Sequence, residues 1–231
     1  MKKLIIIPTY NEAKNIKNLV DSLIVNNCDI LVIDDASPDK TGEIVKSHYL
    51  YNNSLFLIER VGERGYASAC KCGFEYGLKN KYDFIIQMDA DLSHSSKDLQ
   101  TMISHSSDFD MVIGSRYVVG GRTSGWGIIR ILLSRTANIF SKNYLNVNIN
   151  DLTSGFRIYN TKTLINLDFG SLRSEGYGFL VEILYRLNKN GISIKEVPIH
   201  FNDRKFGNSK MNISIVFEAI KLVLYLKRRT G

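Results

Sequence analysis

The stretch Gln87-Met-Asp-Ala-Asp-Leu-Ser-His94 sets two carboxylates, Asp89 and Asp91, one residue apart, directly after the apolar run Phe84-Ile85-Ile86. Side chains at i and i+2 leave an extended chain on the same side, so both groups would point at one spot and repel each other. Two chemistries answer that repulsion. Either a positive group sits between them, or Asp91 or a following serine caps a helix suggested by Ser95 to Ile103. The acidic pair by itself does not choose.

Other polar groups recur at comparable places. Pro8-Thr-Tyr-Asn-Glu12, Asp34-Asp-Ala-Ser-Pro-Asp39, Gly62-Glu-Arg-Gly65 and Gly114-Ser-Arg-Tyr117 each follow a short apolar run. Any one of them is ordinary turn and cap chemistry. Five such loops, counting Asp89 to Asp91, describe a polar cleft. His94, His105 and His200 show neither triad nor zinc spacing and are read as structural or surface residues. Cys28, Cys70 and Cys72 are an odd number, and a lone Cys-x-Cys is weak evidence for a metal, so idle thiols are expected.

The elements that must position these loops follow from periodicity. Leu4 to Ile7, Ile30 to Ile33, Leu55 to Ile58, Phe84 to Ile86 and Met111 to Ile113 are short β-rich runs. Helical patterns such as Asn15 to Val25 and Tyr66 to Leu78 lie between most of them. Continuous apolar strands alternating with helices predict a doubly wound α/β half, its parallel sheet covered on both faces. Ligands of such folds bind beyond the carboxyl ends of the strands, where the polar loops fall.

Past Gly120 the alternation weakens. Trp126 to Leu145 predicts a helix with Ile129, Leu132, Leu133, Thr136, Ala137 and Phe140 on a broad apolar face and Arg130, Ser134, Asn138 and Ser141 on the other. Asn150 to Arg157 reads as a loop and Gly178 to Leu187 as a helix. Glu196 to Phe201 reads as an edge strand, because Pro198 cannot donate to a central ladder.

The chain has 231 residues, 44% hydrophobic, long enough for one sizeable core, and a single domain is expected. Thirty Lys and Arg against 23 Asp and Glu give a net charge of +7, which favours anionic partners. A basic nucleic-acid module would fit that charge but leave the carboxylate loops unexplained, so no nucleic acid partner is expected. Neither a dinucleotide glycine fingerprint nor a Walker lysine motif is present. A sugar nucleotidyltransferase would need a glycine-rich loop after the first strand, where Pro8 to Glu12 has no glycine. The apolar start is cut short by Pro8, so export is not expected.

In their order, PTYNE, DDASPD, MDADLSH, GSRY, LTSGFR and DRKFGNSK, spread from Pro8 to Lys210, resemble the motifs of inverting family 2 glycosyltransferases with the GT-A fold. MDADLSH and DR-x-x-G-x-S-K narrow the resemblance to dolichol-phosphate or polyprenol-phosphate mannose synthases. It implies that Asp89 and Asp91 hold Mg²⁺ or Mn²⁺ against the diphosphate of a nucleotide sugar, a role suited to hard oxygen ligands. It also implies that Pro8, Tyr10 and Glu12 contact the nucleoside, that Asp35 reads the base edge with Ile33 packed nearby, and that Ala90 lies in the same donor site. GDP-mannose is the donor implied, with a UDP-sugar such as UDP-glucose as the competitor.

The acceptor implied is a polyprenyl phosphate. Its phosphate is already anionic and needs orientation rather than a general base, and no Glu-Asp dipeptide occurs in the chain to supply one. By resemblance, Arg116, Arg130 and Ser134 stand at the acceptor phosphate, Arg204 and Lys210 grip phosphates, and Asp89, Asp91, Arg116 and Arg204 carry the catalytic step. Residues 1–120 would form the nucleotide-sugar half and 121–231 the acceptor half. The chain departs from the pattern at Ser93, where some relatives carry a metal-binding glutamine, and at Gly178, where some carry a lysine.

Met211 to Leu226 is interrupted by Glu218 and Lys221, and falls short of the roughly 20 apolar residues that span a bilayer. A segment lying on the membrane surface, or a C-terminal helix packed on the domain, is expected instead. The resulting location is peripheral, at the cytoplasmic membrane face. A small membrane-anchoring protein is a further partner that the resemblance suggests.

Overall fold

The computed structural model describes residues 1–62, 64–203 and 221–228. The apolar runs become strands and the 3.6-residue patterns helices: β1 (Lys3–Thr9), α1 (Ile16–Leu23), β2 (Asp29–Asp34), α2 (Thr41–Lys46), β3 (Leu55–Glu59), α3 (Tyr66–Lys79), β4 (Phe84–Gln87), α4 (Ser96–His105) and β5 (Met111–Ser115). Then come β6 (Arg122–Ser124), α5 (Ile128–Leu145), β7 (Arg157–Asn160), α6 (Thr161–Leu164), α7 (Gly176–Lys189), β8 (Ile194–Pro198) and β9 (His200–Asn202). Residues 221–228 are helical.

Among the described residues, seven strands form one sheet in the order β3-β2-β1-β4-β7-β5-β8, and β6 pairs with β9 in a small second sheet. β7 runs antiparallel to both β4 and β5, whereas the other ladders of the large sheet are parallel. The chain is a single α/β domain with a mostly parallel sheet, as expected from the continuous apolar strands. β7 was not expected as a strand. Its run is short and interrupted by Arg157, whose three guanidinium nitrogens donate to the carbonyls of Ser154, Leu180 and Leu152.

Alternate residues of each strand feed two cores. Leu4, Ile6, Leu31 and Ile33 face α3 and α7, together with Val223 and Leu226 of the last described helix. Ile5, Ile7, Ile30 and Val32 face α1 and α4. Burial on both faces explains why these strands show no polar alternation. α3 lies unusually close to the sheet: a Cβ on Gly77 would come within 2.5 Å of Ile85 Cδ1. That close approach sets Tyr66, the first residue of α3, over the carboxyl edge of the sheet.

The edge-strand expectation resolves into two strands. β8 flanks β5 at the edge of the large sheet, ending at Pro198, and the chain then changes sheet so that β9 pairs with β6. Pro198 sits where no ladder bond is lost.

Candidate active site

A cleft of about 510 Å³ opens beyond the carboxyl ends of β1, β2 and β4, walled on the far side by the start of α7. Pro8, Tyr10, Glu12, Asp35, Asp89, Ala90 and Asp91 all line it, so seven expected donor-site residues converge. Arg64, Gly65, Tyr66, Gly176 and Leu180 complete the wall. Ile33 lies fully buried in the core beneath.

The turns that present these residues are strained. Asn11, Ala36 and Leu92, just past β1, β2 and β4, have φ of 62°, 51° and 63°. The left-handed conformation costs a side-chain-bearing residue about 1–2 kcal/mol, so the surrounding fold must hold each turn in place. The two adjacent carboxylates after β2 divide their work. Asp34 accepts from Thr9 Oγ1 and from Ser37 N and Oγ, which closes the loop. Asp35 faces the cleft, where Arg60 Nε donates to it at 2.8 Å and the Gly65 amide at 2.8 Å. Glu12 accepts from Asn15 Nδ2 at 2.7 Å, and the half-exposed Tyr10 ring lies under the Arg64 guanidinium at 5.0 Å.

Of the caps considered for α4, it is the following serine Ser95 that serves, accepting from the Asp98 amide. Asp91 is not the cap; it accepts from Ser93 N at 3.1 Å and lines the cleft beside Asp89. Asp89 Oδ1 accepts from the Tyr66 hydroxyl at 3.3 Å, and its Oδ2 lies 3.6 Å from His94 Nε2. His94 is buried between the rings of Phe156 and Phe201, 4.5 and 5.4 Å away, and among the described residues neither ring nitrogen has a hydrogen-bond partner. The Ser93 hydroxyl is likewise buried without a partner.

Two carboxylates on one cleft wall are the donor set a hard divalent ion prefers. Among the described residues no third Asp, Glu, His or Cys completes a cage, so a cation there needs ligand or water oxygens as well. The arrangement therefore suits an ion that arrives with a diphosphate.

The expected cations lie apart from this cleft or outside the described residues. Arg116 makes a bidentate pair with the fully buried Asp151, Nε to Oδ2 at 2.7 Å and Nη2 to Oδ1 at 2.6 Å, and also reaches Thr153. Burial pushes the Asp151 carboxyl up, but the Arg116 charge and hydrogen bonds outweigh it and hold the group below the usual carboxylate range. Arg116 is thus occupied in bracing the loop at residues 150–154, and its charge does not face the donor cleft. Arg130 lies 3.9 Å over the Trp126 ring and donates to Asp203 at 3.0 Å. Ser134 is buried and accepts from Tyr117 OH at 2.6 Å. Arg204 and Lys210 lie outside the described residues, as does most of Met211 to Leu226.

α5 turns its polar stripe inward. Ser134, Asn138 and Ser141 face inward, and Asn138 Oδ1 accepts from the Leu152 amide at 2.7 Å. Ile128, Ile129, Leu132 and Ile139 face outward, 58–77% exposed. Among the described residues no helix is long and apolar enough to cross a membrane. At Gly178, a Cβ would meet Leu222 Cδ2 at 3.0 Å, so the C-terminal helix fills space that a longer side chain would need.

Sequence reasoning missed Arg60, Tyr66, Gly176 and Leu180. Arg60 had a signal, a cation two residues past an apolar run. Tyr66, at the head of a helical pattern, had none. The Glycosyl transferase family 2 model matches residues 4–167. The undecaprenyl-phosphate mannosyltransferase of Micrococcus luteus is 38% identical over 222 residues, 95% of this chain and 91% of that protein. The polyprenol monophosphomannose synthase of Mycolicibacterium smegmatis is 38% identical over 224 residues, 95% and 84% of the two chains. Glucosyl-3-phosphoglycerate synthase from Mycobacterium tuberculosis, crystallised with Mn²⁺ and UDP-glucose, shares the fold with a TM-score of 0.70 at 17% identity, over 97% of this chain and 78% of that one.

Proposed function

The chain belongs to the family 2 glycosyltransferases, and from that premise we propose that it moves mannose from GDP-mannose to a polyprenyl phosphate. The observation that carries the reading is the meeting of Tyr10, Glu12, Asp35, Asp89 and Asp91 in one cleft at the carboxyl edge of the sheet. The names of the two relatives at 38% identity support the sugar and the lipid phosphate. Residues 1–120 serve the donor and residues 121–231 the acceptor.

Tyr10 and Glu12 take the nucleoside, and Asp35, held rigid by Arg60 and the Gly65 amide, reads the base edge. Rigidity matters because a site whose acceptor is already oriented loses little entropy on pairing with a base. Asp89 and Asp91 would hold Mg²⁺ or Mn²⁺. The bound ion supplies charge neutralisation for the departing diphosphate. On the acceptor side, Arg130 orients a phosphate oxygen toward the anomeric carbon, helped by Arg204 and Lys210 from the following segment. An incoming phosphate would compete with Asp203 for Arg130. Arg116 and Ser134 act behind it, by fixing the loop at 150–154 and the register of α5.

A membrane-surface location follows from the outward apolar face of α5. Four large aliphatic side chains in open water on one helix face fit an interfacial helix, and they flank the segment that carries Arg130. A small membrane-anchoring partner would bind the same side. The test is incubation of the purified protein with a panel of nucleotide sugars and short polyprenyl phosphates, with and without Mn²⁺, read by product mass. A mannosyl phospholipid formed from GDP-mannose alone is the expected result. Product from UDP-glucose instead would replace donor and sugar while leaving the acceptor reading intact.

A further inference from the structure

Behind the acidic pair runs a hydrogen-bond chain whose polarity is fixed by its buried end. Tyr159 OH donates to Gln87 Oε1 at 3.1 Å, so the amide must turn its NH₂ the other way. Gln87 Nε2 then donates to Tyr66 OH at 2.8 Å and to Cys70 Sγ at 3.4 Å. With its oxygen accepting from Gln87, the Tyr66 phenol points its proton at Asp89 Oδ1, 3.3 Å away. Gln87 and Tyr159 are both fully buried, so water does not compete for the chain.

The neighbouring backbone is cut to leave room for this contact. A Cβ on Gly155 would lie 2.8 Å from Tyr66 OH and 3.2 Å from Asp89 Oδ1. The 3.3 Å separation exceeds the ordinary O–H···O length, which gives the carboxylate slack to shift as a cation arrives.

We propose that Tyr66 is a positioning residue for Asp89: its O–H, aimed by Gln87, engages Oδ1 and fixes the orientation in which the carboxylate would receive a divalent cation. This rests on the reading of Asp89 as a metal ligand. Partners of this kind hold a ligand's orientation, and their loss typically weakens metal binding about 10–100-fold.

The test is titration of Mn²⁺ into the full-length protein in the presence of GDP, following the free aquo ion by electron paramagnetic resonance. Tyr66→Phe should bind Mn²⁺ about tenfold more weakly. Gln87→Met keeps the phenol but removes the amide that aims it, and should lose affinity in the same direction by a smaller factor. Affinity for GDP without metal should fall much less than affinity for Mn²⁺ in both, a split that general loosening of the cleft would not produce. Wild-type Mn²⁺ affinity in folded Tyr66→Phe overturns the proposal, and so does an equal loss of metal-free GDP binding. If Tyr66→Phe does not fold, wild-type affinity in Gln87→Met overturns it alone. A wild-type protein without GDP-dependent Mn²⁺ binding overturns the metal reading as well, whereas wild-type binding with unaltered variants overturns only the role of Tyr66.

Discussion

At the scale of single residues, the site separates groups that face ligand from groups that hold them. Asp91 lines the cleft, and its Oδ1 accepts from the Ser93 amide, a bond that an asparagine oxygen can keep. Asp91→Asn should therefore fold normally yet lose at least about 10²-fold in kcat, measured by steady-state transfer at saturating Mn²⁺. Asp151 is the opposite case, buried and paired with Arg116 on two nitrogens. Asp151→Ala leaves a guanidinium buried without its carboxylate and should cost about 3–5 kcal/mol in urea denaturation. Both aspartates sit in the same local pattern, Asp91-Leu-Ser93 and Asp151-Leu-Thr153, and only their surroundings separate them.

At the scale of elements, α5 and α3 carry the site by unlike means. α5 buries a polar stripe because its neighbour, the loop at residues 150–154, offers backbone groups that need partners. Asn138 meets the Leu152 amide, and Lys142 meets Asn150 Oδ1. Asn138→Leu should destabilise by about 1–3 kcal/mol, the cost of a buried N–H left unpaired, as read from the urea midpoint. Ile129→Glu and Leu132→Glu, on the outward face, should change stability by no more than about 0.5 kcal/mol. The same pair should sharply reduce sedimentation with anionic lipid vesicles, and unchanged sedimentation would remove α5 from the membrane reading. α3 works by close approach instead. Gly77→Ala would press on Ile85 and should cost about 1–3 kcal/mol, read by the same denaturation.

At the scale of the whole molecule, β7 and β8, both from the second half of the chain, pair with β4 and β5 from the first, so the two halves share one sheet. Its stability should follow pH in a definite sense. Asp151 and Glu182 both titrate below their ordinary range: burial opposes the shift, while Arg116 for the first and Ser174 with Arg186 for the second prevail. Their contribution is present above the ordinary carboxylate range, near about 4, and is lost as pH falls through the depressed folded values. The Cys28 thiol goes the other way, pushed by burial from 9.0 up to about 11. Its contribution is present below 9.0 and is lost as pH rises toward 11. Urea midpoints measured across pH should show a plateau between these limits, and Cys28→Ala should flatten the alkaline side.

The amino-acid sequence by itself determined the alternation of strands and helices, the edge on which the polar loops gather, and seven of the residues that line the cleft. These are local properties: a strand's apolar run and the turn after it are written in consecutive residues. Tertiary structure alone decided which face of α5 is inside, where β7 enters the sheet, that Arg116 is spent on Asp151, and that Tyr66 reaches Asp89. Periodicity tells which side chains share a face but not what lies opposite that face. Asn138 and Leu152, Arg116 and Asp151, and Tyr66 and Asp89 become partners only when distant segments pack, because a buried hydrogen-bonding group takes its complement from whatever the fold sets against it.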